Sequence, residues 1–164
     1  MKVKKLTTLA LLIALAMILS YLESLIPPFV AIPGIKVGLA NIAVVFALYQ
    51  LGWKEAVAIS LVRVLCVSLL FGSGASFLYS VAGAALSLAG MILLLRTGLF
   101  SQVAVSITGG ILHNIGQIIM ASILLATDVL RYYLPFLLLG GIAAGVVVGV
   151  AAAVLIRRIH VNDA

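Results

Sequence analysis

Residues 106–122, SITGGILHNIGQIIMAS, lie within an apolar run long enough to cross a bilayer. They carry His113, Asn114 and Gln117 near its middle. In hydrocarbon an unpaired polar group costs several kcal/mol, on the order of 2–7. Such side chains therefore face a bundle interior or a wet cavity, and by default they mark a functional site. Gln117 follows His113 by four residues, so the two share a helical face about 6 Å apart along the axis. Asn114 is rotated by about 100° and faces a different neighbour. Gly109 and Gly110 precede this face by one turn and leave space beside the imidazole.

The rest of the chain explains why lipid is the setting. Of 164 residues, 65% are hydrophobic and 9% charged, against roughly 45–50% and about 25% in soluble domains. Too few polar groups remain to cover a surface in water, so the chain reads as one integral membrane domain over residues 1–164. Cys66 is the sole cysteine, which excludes a disulfide framework and a Cys-rich metal site. The net charge of +6 comes from basic residues near the ends of apolar runs. They resemble topology determinants, and no nucleic-acid partner is expected.

A membrane helix needs about 20 mostly apolar residues. Runs of that kind predict an all-α, polytopic protein with six spans near 6–26, 38–52, 54–72, 76–95, 101–126 and 133–156. The second is short, and only Gly52-Trp53-Lys54-Glu55 separates it from the third. The basic start and apolar run could serve as a signal peptide; the five spans that follow favour its retention as the first helix. With both termini in the cytoplasm, the inner side holds Lys2, Lys4, Lys5, Lys54, Arg96, Arg157 and Arg158, and the outer side Lys36 and Arg131. The connector PPFVAIPGIK (27–36) reads as an extended outer loop, either an ordered link or a lid.

Gly141, Gly145 and Gly149, with Ala153, recur every four residues, a small-residue face for close helix approach inside the bundle. Ala10 and Ala14 form a similar face that packs internally or docks a separate membrane subunit.

Arg63 falls halfway along the third span, and Glu23 near the outer end of the first. Lys36 and Asn41 flank the outer start of the second; Tyr79 and Ser80 lie in the outer half of the fourth. By depth these groups converge with His113, Asn114 and Gln117 on the outer half of the bundle, as the lining of an outward-facing, substrate-binding cavity. Alternatively Glu23 neutralises Arg63 directly and the amides only tie helices. Arg63 is suited to a phosphate or carboxylate, because a guanidinium offers planar multidentate donors. Tyr132 and Tyr133 read as interfacial belt residues.

Magnesium–diphosphate chemistry needs clustered carboxylates, and Glu23, Glu55, Asp128 and Asp163 are scattered to opposite ends. There is no Walker A motif, and Ser80 with His113 forms no recognisable oriented triad. The chain is therefore not expected to be an enzyme, nor to hold a metal or cofactor.

Leu22-Glu23-Ser24 with Pro27, PGIKVGLAN (33–41), Arg63, Tyr79-Ser80 with Gly83, Met91, and SITGG (106–110) leading to His113-Asn114-x-x-Gln117 resemble the Gx transporter family. That family is also labelled heptaprenyl diphosphate synthase component I. The resemblance spans about residues 6–155. It implies a six-helix membrane protein similar to the substrate-binding S components of energy-coupling factor transporters. In those, an outward cavity captures a small molecule, and an Ala-xxx-Ala face on the first helix docks a coupling membrane subunit that works with ATPases. Ala10 and Ala14 match that face. The implied ligand is a small anionic or isoprenoid/quinone-related molecule. The alternative is a non-catalytic membrane subunit of a prenyl diphosphate or quinone pathway, or of a membrane redox assembly.

Overall fold

The computed structural model describes residues 2–25, 38–71, 74–126 and 132–159. Among them are six α-helices: α1 (Lys2–Leu25), α2 (Asn41–Gln50), α3 (Trp53–Phe71), α4 (Gly74–Thr97), α5 (Gln102–Leu125) and α6 (Leu134–Arg158). No strand occurs among the described residues. The connector 27–36, with the lid reading attached to it, lies outside them, as do Lys36 and Arg131.

Four helices, α1, α4, α5 and α6, are long and apolar enough to cross a membrane. Their outer faces carry side chains such as Leu93, Ile123 and Leu139, each about two-thirds exposed. Leaving such a side chain in water forgoes about 1.5–3 kcal/mol of burial, so lipid is the medium these faces fit. The chain is a multi-pass membrane protein. α3 has 19 residues and bears Lys54, Glu55 and Arg63.

Within the expected span at 38–52 the helix is shorter than a full crossing. That helix, α2, has 10 residues and so is about 15 Å long, half the hydrocarbon thickness. It is buried on nearly every side, from Ala43 through Leu48, because the longer helices surround it. A helix apolar all round is stable only when enclosed in this way. Gly38 begins the turn into it at φ +73°, the left-handed region where a Cβ is strained. The turn is closed by Asn41 N–H donating to the Gly38 carbonyl at 2.8 Å. At the other end only Leu51 and Gly52 separate α2 from α3, and Gly52 has φ +115°. The exposed Trp53 ring lies 5.6 Å from the Lys54 ammonium.

α5 is the central strut, packed on α4 and on α6. Ser101 caps its start, its hydroxyl accepting from the Ala104 N–H at 3.2 Å. Against α6 the register is antiparallel. A Cβ on Gly149 would meet Val103 Cα at 2.8 Å, one on Gly145 would meet Ile107 Cα at 2.5 Å, and one on Gly141 would meet the Gly110 carbonyl at 2.9 Å. The glycine stripe of α6 therefore packs inside the bundle, as its spacing suggests. Against α4, Gly116 lies on the Ala82 carbonyl and Gly109 on Met91.

Two contacts fix which helix ends lie together. Lys5 pairs with Glu55 at 2.5 Å, and the Gln50 amide donates to the Ile156 carbonyl at 3.3 Å. The start of α1, the end of α2, the start of α3 and the end of α6 thus share one face of the bundle. At the opposite face the Gly38 N–H donates to Glu23 Oε1, joining the end of α1 to the start of α2.

Candidate functional site

Because α2 is half-length, no helix among the described residues extends it beyond its N-terminus. A cavity of about 80 Å³ lies at that end. A single water needs only about 10–15 Å³ on the same measure, so there is room for more than one. Its polar side chains come from five helices: Glu23 of α1, Asn41 of α2, Arg63 of α3, Ser87 of α4, and Ser106, His113, Asn114 and Gln117 of α5; α6 adds Gly141 and Gly145 of its glycine stripe.

Six of the nine residues singled out for ligand binding thus share one hollow: Glu23, Asn41, Arg63, His113, Asn114 and Gln117. Lys36 is outside the described residues. Tyr79 and Ser80 are half-buried and do not line the cavity. They precede Ser87 by two turns, about 12 and 10 Å along α4.

The local packing explains how bulky polar groups fit. A Cβ on Gly83 would come within 3.0 Å of His113 Cε1 and 2.9 Å of Gln117 Cγ, so the bare backbone of α4 makes the slot for both side chains. Gly110, by contrast, lies against the Gly141 carbonyl of α6. Asn114, on that same side of α5, donates from Nδ2 to the Leu137 carbonyl at 2.5 Å. It is the helix tie that a 100° rotation from His113 anticipates. We expect Asn114→Ala to cost about 0.6 kcal/mol, the average for such bonds in membranes, measured by reversible unfolding in detergent or bicelles.

Glu23 and Arg63 do not form a direct ion pair. The ion pair found among the described residues is Lys5–Glu55. Glu23 instead accepts from the Gly38 N–H, although its carboxylate still acts electrostatically on Arg63. Arg63 Nε is buried and has no hydrogen-bond partner, a state that costs about 1–3 kcal/mol or more for a charged group. α2 begins at the same place with Ala40 as N-cap and no side-chain cap. The positive end of its macrodipole therefore also faces the hollow.

Sequence reading missed Ser87, although a signal existed. Gly83, Ser87 and Met91 recur every four residues and form the α4 face that meets α5. Ser106 was visible only as part of a motif, and its burial comes from Gly149, whose Cβ would stand 3.0 Å from Ser106 Cβ. Ala10 and Ala14 are both exposed on α1, so the chain itself covers neither.

No curated protein and no solved structure matches the chain. The family described as heptaprenyl diphosphate synthase component I matches residues 12–155, a stretch that takes in every described residue lining the cavity. That match covers most of the sequence, and the chain belongs to the heptaprenyl diphosphate synthase component I family.

Proposed function

We propose that this protein is a single membrane domain that captures a small molecule from outside, as the substrate-binding subunit of an importer similar to energy-coupling factor transporters. It spans the cell membrane with six segments, counting α3 and the half-length α2, and both termini are cytoplasmic. It catalyses no reaction itself. The observation that carries this reading is the single hollow shared by Glu23, Asn41, Arg63, His113 and Gln117, on the side away from Lys5–Glu55 and the Arg157–Arg158 end. A structural bundle needs no such void: helix ties are made pairwise, as Asn114 makes its own. The exposed Ala10–Ala14 face of α1 would dock the coupling membrane subunit.

The second reading, a non-catalytic subunit of a prenyl diphosphate or quinone system, is favoured by the family description and by a second feature. An apolar groove of about 360 Å³ runs between α1 and α6 across α2, lined by Leu11, Leu12, Leu15, Ile42, Phe46 and Leu155, with Lys4 at one end. An isoprenoid tail would fit there.

Affinity purification from native membranes separates the two. The importer reading expects a coupling membrane protein and paired ATPases to co-purify, and Ala10→Leu with Ala14→Leu to release them. Recovery of a soluble prenyl synthase instead, with a gain in its activity on adding this protein, would favour the second reading.

A further inference from the structure

The charge inventory of the cavity narrows the class of molecule it takes. Among its described lining residues stand one guanidinium, Arg63, and one carboxylate, Glu23; the other polar groups are amides, hydroxyls and an imidazole. The two charges share the hollow without an ion-pair contact. Glu23 is held away by the Gly38 N–H, and Arg63 keeps a buried, unpartnered Nε. Two opposite charges kept apart across a cavity leave a gap that a third body can fill.

We propose that the ligand is a small dipolar molecule, its carboxylate or phosphate held by Arg63 and its cationic or donor end held by Glu23. This rests on the binding role of the hollow proposed above, and it deepens that role by naming the ligand class. In low dielectric, an uncompensated charge is strongly disfavoured. A dipolar ligand adds no net charge and satisfies both arms. A simple anion would neutralise Arg63 and strand Glu23. A diphosphate, with more than one negative charge, would face one guanidinium and a repelling carboxylate among the described lining residues.

Two further features point away from a tailed or flat ligand. α2 separates the polar hollow from the apolar groove, with Asn41 and Val45 on the first and Ile42, Ala43 and Phe46 on the second. A headgroup at Arg63 therefore has no straight path for a tail into the groove. The described lining also contains no Phe, Tyr or Trp, only Val45, Met91, Ala144 and Val148 as apolar contacts beside the polar imidazole of His113, so a quinone ring would find little stacking surface. The N-terminus of α2 adds its partial positive charge to the same hollow, next to the Gly38 N–H that holds Glu23.

The test uses the full chain in detergent and reads its thermal unfolding midpoint. The probes are glycine, β-alanine and γ-aminobutyrate; the matched anions acetate, propionate and butyrate; the matched alkylamines; and inorganic pyrophosphate. At least one amino acid should raise the midpoint by about 5 °C at concentrations well above its dissociation constant, beyond the combined effect of its matched anion and amine. Glu23→Gln and Arg63→Gln should each abolish that excess. Anions alone stabilising as well as the amino acids, pyrophosphate giving the largest shift, or no amino acid acting at all would overturn the proposal. None of those outcomes touches the importer reading, which stands or falls on the co-purifying subunits.

Discussion

Gly145→Val leaves little folded protein in the membrane, whereas Gly74→Ala is neutral or slightly stabilising. The two substitutions add a side chain to glycines of very different surroundings. A Cβ on Gly145 would stand 2.5 Å from Ile107 Cα and 2.9 Å from the Ser106 carbonyl, both backbone atoms of α5 that cannot move aside. One on Gly74 would meet nothing within 4 Å. Overpacking a closed contact costs about 1–3 kcal/mol for each added group, and here the two backbones must separate along the whole α5–α6 register. The cavity is built on that register, since Gly145 itself lines it. Pulse-chase levels of membrane-inserted protein and the detergent unfolding midpoint measure the effect. Equal behaviour of the two variants would mean that α5 and α6 do not pack as described.

Arg63→Ala is expected to reduce occupancy of the cavity by about 10- to 100-fold, the range for losing a charge-assisted hydrogen-bonding group. The readout is the amount of small molecule retained by the purified protein in native mass spectrometry. His113→Ala should lower the same signal by a smaller factor, because a neutral partner contributes about half as much as an ionised one. Arg63→Ala also leaves Glu23 as the one charge among the described lining side chains, so some loss of stability accompanies it. Adding Glu23→Gln removes that orphaned charge and should restore the unfolding midpoint while leaving occupancy low. That combination separates a binding role from a structural one. Full occupancy in the Arg63→Ala protein would dismiss Arg63 as a ligand-holding residue.

Much of the site could be read from the chain because depth in a membrane is a function of sequence position. His113, Gln117 and Arg63 each fall near the middle of an apolar run, and hydrocarbon admits such groups only where they meet one another or a wet space. Ser87 escaped notice because a serine is inexpensive at any depth, and only its burial against α5 gives it meaning. Tyr79 and Ser80 were grouped with the site by approximate depth; they miss it because they stand two turns from Ser87 along α4, a distance that loose span boundaries do not resolve.

The sequence by itself determined membrane residence, the all-α class, the small-residue face of α6 and the short turn at Gly52, since each follows from composition or local spacing. Only the tertiary structure decided that α2 stops at half-length, that Glu23 binds the Gly38 N–H instead of Arg63, and that Asn114 ties to Leu137. The reason is physical. A helix's length in lipid can be guessed from hydropathy, but whether ten apolar residues are wrapped by neighbours depends on contacts between residues far apart in the chain, and the cavity is the space those contacts leave open.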